Sequence, residues 1–96
     1  MLINKGLSAG EVITIKLTTG DEIVARLVEE TPTGYKISRP TMITVTSQGL
    51  GLVPYSFTIS PEAEIIIREH AVAMIAATEK QFADQYLQGT TGIRLS

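Results

Sequence analysis

The chain has 96 residues, 44% of them apolar, with 8 Lys and Arg against 10 Asp and Glu and no cysteine. That length predicts a single domain, small enough that joining copies would add useful buried surface. The net charge of −2 speaks against broad, sequence-blind binding to nucleic acid, which depends on neutralising phosphates, and the lack of cysteine excludes disulfide frameworks and thiolate metal sites.

No run approaches the roughly 20 apolar residues that cross a bilayer, and no basic segment followed by an apolar core opens the sequence. The expectation is a soluble, cytoplasmic chain without membrane contact. Residues 1–10, with glycines at 6 and 10, read as an irregular or briefly helical lead-in.

Residues 11–27, EVITIKLTTGDEIVARL, carry the clearest pattern. Ile13, Ile15 and Leu17 alternate with polar residues, and Ile23, Ala25 and Leu27 do so with Val24 and Arg26, which is the two-residue period of half-buried strands. Thr18-Thr19-Gly20 between them predicts a hairpin whose glycine takes a positive φ. The register then sets Ile15 opposite Ile23, Ile13 opposite Ala25 and Lys16 opposite Glu22. A slip of one residue would undo every pair.

The second strand is expected to run to about Glu30, followed by a turn over Thr31-Pro32-Thr33-Gly34. A third strand takes in Tyr35, Ile37 and residues 42–45, interrupted at Arg39-Pro40, where proline, which donates nothing to a ladder, marks an edge, a bulge or a break. Residues 46–51, TSQGLG, read as a loop, and residues 52–59 as a strand with Val53, Tyr55, Phe57 and Ile59 on one side. The loop lacks the pattern and context of a phosphate-binding loop; Leu50, Leu52 and Tyr55 beside it suit a contact surface or ordinary packing.

Residues 64–69, EIIIRE, predict a strand whose consecutive isoleucines are buried on both faces. A bend near His70-Ala71 and a last strand over residues 72–76 follow. From Thr78 the period lengthens to that of a helix over residues 79–88, with Thr78 as N-cap, Phe82, Ala83, Tyr86 and Leu87 on its packed face, and Gly89 as its stop. Residues 90–96 read as an extended tail.

Two of these segments resemble the Sm-like (LSm) family. Ile13-x-Ile15-x-Leu17-x-x-Gly20, with Ile23 and Ala25-x-Leu27 beyond it, resembles that family's first motif. Ile67-Arg68-Glu69-His70-Ala71-Val72 resembles the second, in which isoleucine, arginine and glycine precede an apolar strand; Glu69 stands at the glycine's position. His70-Ala71-Val72 also matches the form of that motif found in the bacterial Sm-like RNA chaperone, with Glu69 in place of its lysine. The middle segment and YLQGTTGI are similar to small Sm-like proteins of cyanobacterial tailed phages, which implies a phage-encoded chain acting in a bacterial cytoplasm.

The resemblance implies a mainly β fold, a strongly bent five-stranded antiparallel sheet forming a small barrel with a C-terminal helix. Residues 11–77 would be the barrel and residues 78–89 the helix. It implies a homo-oligomeric ring of about five to seven copies, joined through the strands EIIIRE and AVAMIA, which closure would relieve of free edges. In the family, a base of single-stranded RNA sits between the loop of the first motif and the bend of the second. Carried onto this chain, the RNA-binding residues are Arg68, His70, Tyr35 and Glu69. Arg68 stacks on or contacts a base, His70 hydrogen-bonds it and Tyr35 lies near the stacking position.

The residues themselves leave other roles open. Arg68 equally suits an ion pair with Glu64 or Glu69. His70 suits a bend residue, or a metal ligand with Glu69 or its symmetry copies. A carboxylate from each Glu69 around a pore would repel phosphate. Thr31 to Tyr35 also lacks the aspartate and asparagine of the family's loop. The acidic balance therefore keeps a second function in view, a phage structural or adaptor ring that contacts phage or host protein through residues 50–55 and the helix. No nucleophile, base and orienting group come together, so neither an enzyme nor a cofactor is expected.

Overall fold

A computed structural model of the chain describes residues 7–47, 49–55, 58–60 and 62–90. Its centre is the hairpin of β1 (Val12–Leu17) and β2 (Glu22–Thr31). Ile15 lies opposite Ile23, Ile13 opposite Ala25 and Lys16 opposite Glu22, the register that alternation demands. Gly20, at φ 101°, closes the turn, its amide donating to the Leu17 carbonyl at 2.9 Å. Ile13, Ile15, Leu17, Ile23, Ala25, Leu27 and Ile37 form the buried core. A fully buried side chain of this kind is worth about 1.5–3 kcal/mol.

Val12 and Val24 lie out of phase with that set, on the opposite face of the hairpin, and are also buried. Helix α1 (Lys80–Thr90) covers them, with Tyr86 fully enclosed and Ala83 and Leu87 packed beside it. The hairpin is thus buried on both faces, by the curling sheet on one and by the helix on the other.

Strand β3 (Gly34–Thr46) pairs with β2 and then serves two further partners. Its first half, residues 34–38, pairs with β5 (Glu64–Arg68), and its second, residues 41–46, with β4 (Gly49–Pro54). The change occurs at Arg39-Pro40, where the ladder to β2 skips between the pairs Arg26–Ser38 and Val24–Thr41. Arg39 there takes φ 49°. Of the edge, bulge or break expected at Pro40, it is a bulge that forms, and β3 runs on through it because no donor is required of the proline there. Its carbonyl accepts from the Tyr55 amide at 3.0 Å.

Beyond β5, residues Glu69–Ala71 make one 3₁₀ turn, and β6 (Val72–Ala77) returns along β1. The result is a bent antiparallel sheet in the order β4-β3-β2-β1-β6, with β5 added to the first half of β3. The expected bent sheet and C-terminal helix are present. Among the described residues, however, the strands number six and the sheet is not closed.

Several local expectations need correction. Residues 49–51 are strand, not loop: Gly49 takes the turn conformation at φ 116°, and Gly51 then pairs opposite Thr44. The strand expected over residues 52–59 ends at Pro54, Thr58 and Ile59 lie in a bend, and Phe57 is outside the described residues. In β5 the isoleucines alternate, Ile65 and Ile67 packing on the core while Ile66 is 48% exposed, because among the described residues nothing packs over one face of this edge strand. Thr78, just past β6, is tied to β1 and does not open the helix, its amide donating to the Val12 carbonyl and its hydroxyl bonded to that of Thr14 at 2.8 Å. The helix therefore starts later and runs through Gly89 to Thr90. The tail from residue 91 lies outside the described residues.

Candidate nucleic-acid interface

The bend between β5 and β6 is held from two sides by backbone. The Glu69 amide donates to the Thr33 carbonyl at 2.8 Å, tying the bend to the β2–β3 turn. The Thr18 amide donates to the Ala71 carbonyl at 2.8 Å, tying it to the β1–β2 turn. Within the bend, the Val72 amide donates to the Glu69 carbonyl. Gly34 sits against β5 so closely that a Cβ there would overlap the Ile67 carbonyl oxygen. Only glycine allows the turn to come this near.

Arg68, Glu69 and His70 are all exposed on this bend. Arg68 faces outward opposite Gly34, a position that adds no side chain of its own, so the guanidinium has open surface beside it. Among the described residues Arg68 forms no ion pair, with Glu64, Glu69 or any other acid. A planar guanidinium in that state has five donors and a stacking face to offer.

Tyr35 is placed differently. It lies opposite Ile67 and packs on the core cluster, on the inward side of the strand where Ile37 also points. By strand alternation Tyr35 lies on the face opposite to that of Arg68. Lys36, one residue on and outward-facing opposite Ile66, shares the face of Arg68. It was not singled out by motif, although strand alternation alone puts it there. Its ammonium lies 3.2 Å from Glu29, an exposed pair of small energetic weight.

The turn and bend therefore supply exposed Arg68, His70 and Glu69, and the face of Arg68 also carries Lys36, paired with Glu29, and, by alternation, exposed Glu64. Backbone sets this geometry, and the amides that set it, those of Glu69 and Thr18, are already committed to protein carbonyls. Among the described residues no three of His, Asp and Glu gather to hold a metal ion. Among the described residues no helix is long and apolar enough to cross a membrane. The sequence matches no protein-family model and no curated protein at a significant level.

Proposed function

We propose that the chain is an Sm-like, ring-forming protein that binds short single-stranded RNA, U- or A-rich, at the bend carrying Arg68 and His70. The observation that carries this reading is the clasp between turn and bend, Glu69 amide to Thr33 carbonyl. It sets the β2–β3 turn, where the family's loop would lie, against the bend of the second motif-like segment, while the Thr18 amide to Ala71 carbonyl bond ties the first such segment to the same bend. Arg68 on this surface has no acid partner among the described residues. Assembly is supported by the two edge strands flanking the bend. Among the described residues each of β5 and β6 pairs on one side only.

With a net charge of −2 and Glu69 beside Arg68, affinity must come from stacking and hydrogen bonds more than from phosphate neutralisation. The salt dependence is then shallow. Labelled U-rich and A-rich oligomers titrated across a salt series, with native mass measured in parallel, test this. Binding of one of them by the assembled protein, weakened at least about tenfold in Arg68→Ala, is expected for a stacking contact. An assembly that binds neither would sink the RNA reading.

The second reading, an adaptor ring acting through protein contacts, has its own support. Val45 and Leu50 are cross-strand partners near the tip of the β3–β4 hairpin and are 79% and 49% exposed, a pair of apolar side chains left largely uncovered by the described residues.

A further inference from the structure

Away from the bend, at the other end of the β3 pivot, a cavity of about 240 Å³ opens between β3, β4, residues 59–60 and α1. Its walls are apolar, formed chiefly by Pro40, Leu52, Val53, Pro54 and Ile59. Two polar groups lie deeper, but their hydrogens are directed to protein carbonyls: Thr41 donates to the Val24 carbonyl at 2.8 Å and Tyr86 to the Arg39 carbonyl at 2.8 Å. The interior thus favours an apolar guest.

The lining has a cationic side as well. Arg39 and Ser60 both line the cavity, and both reach the same carboxylate, that of Glu62. The Arg39 Nη2 lies 3.8 Å from Glu62 Oε2, and the Ser60 hydroxyl donates to Glu62 Oε1 at 3.0 Å. Glu62 is not part of the lining, and its side chain is 74% exposed, so it can swing away at little cost. Arg39 is held in this place by a backbone conformation that side-chain-bearing residues adopt at some expense, φ 49°. Strain of that kind at the wall of a cavity is a pointer to a binding role.

We infer that this cavity binds a small amphipathic monocarboxylate, its apolar body inside and its carboxylate on Arg39 and Ser60 in the place now taken by Glu62. At roughly 30 Å³ for each water-sized unit, the volume admits about eight heavy atoms, the size of hexanoate. Charge complementarity commits the occupant to an acid. An alcohol of the same length would leave the guanidinium with Glu62 and gain only the apolar contacts.

The test is a methyl-detected NMR titration of the full chain with sodium hexanoate and, separately, with 1-hexanol. Hexanoate is expected to give saturable shifts at Leu52, Val53 and Ile59 at about millimolar concentration, and hexanol to bind about tenfold more weakly. Arg39→Gln should bring hexanoate down to the level of hexanol. Glu62→Ala should tighten hexanoate severalfold by removing the internal competitor, with hexanol unchanged; because Glu62 is exposed, this variant stays informative if the Arg39 exchange disturbs the strand. Equal affinity for acid and alcohol overturns the assignment, as does a Glu62→Ala variant with unaltered hexanoate binding. So does an absence of saturable shifts, or cross-peaks from Ile93 or Leu95 to Val53 showing that the chain's own C-terminal segment fills the space.

Discussion

Tyr86 connects the helix to the pivot of the sheet. Its ring is 1% exposed against Val12 and Val24, while its hydroxyl donates to the Arg39 carbonyl at 2.8 Å and lies 3.1 Å from that of Ser38. A non-glycine residue in the left-handed region costs on the order of 1–2 kcal/mol, and this contact holds Arg39 there. Burial pushes the Tyr86 hydroxyl up to about 12, against the opposing pull of Arg26 and Arg39. The unfolded chain gives up this proton near 10 and the folded chain keeps it to about 12. Between those values the unfolded state holds fewer protons, so stability falls as pH rises, by roughly 2–3 kcal/mol over the window. Tyr86→Phe is expected to cost about 1–2 kcal/mol at pH 7 and to remove that slope. Urea midpoints at pH 7, 10 and 11.5 should show the two proteins converging; parallel curves would deny Tyr86 the role.

At the scale of elements, the closest backbone approach beside the candidate interface is at Gly34. Gly34→Ala drives a Cβ onto the Ile67 carbonyl, and neither β3 nor β5 can yield without losing pairs in the ladder that joins Gly34–Ser38 to Glu64–Arg68. A loss of roughly 2–3 kcal/mol is expected, with faster hydrogen exchange at the Glu69 amide that bonds Thr33. Unchanged protection there would mean that the clasp does not depend on close approach. This contact also marks how far the sequence could be read. The β1–β2 hairpin was legible because every alternate residue votes for one register. Arg68, Glu69 and His70 fall together because they are consecutive. The inward placement of Tyr35 was available from Ile37 by alternation, but the motif drew attention to its chemistry and away from its side of the strand. The double service of β3 was not legible. Pro40 and the glycines at 49 and 51 are local signals for ending a strand, and what overrides them is pairing with partners distant in sequence. The exposure of Ile66 was hidden for a related reason, since three isoleucines in a row carry no period.

For the whole molecule, the decisive feature is the pair of edges. Among the described residues β5 pairs only with β3 and β6 only with β1, and β6, VAMIAA, has none of the charges or prolines that keep a free edge from joining another strand. Met74 on β6 is 63% exposed and Ile66 on β5 is 48% exposed. In an isolated chain, lysine at either position touches little and changes stability by no more than about 0.5 kcal/mol. In a ring that joins β5 of one copy to β6 of the next, the same change sets an ammonium beside or within each junction, and the junctions repeat all the way round. Met74→Lys and Ile66→Lys are therefore expected to leave the fold intact by circular dichroism while reducing the native mass. The starting value would be about 50–75 kDa for a ring of five to seven copies, and the end point the 10.4 kDa of one chain. Sedimentation velocity reads both. A wild-type chain that already sediments at 10.4 kDa would leave these edges free in solution and remove the ring. Variants that keep the full mass would move the junction to other strands, with the outer edge of β4 the next to test.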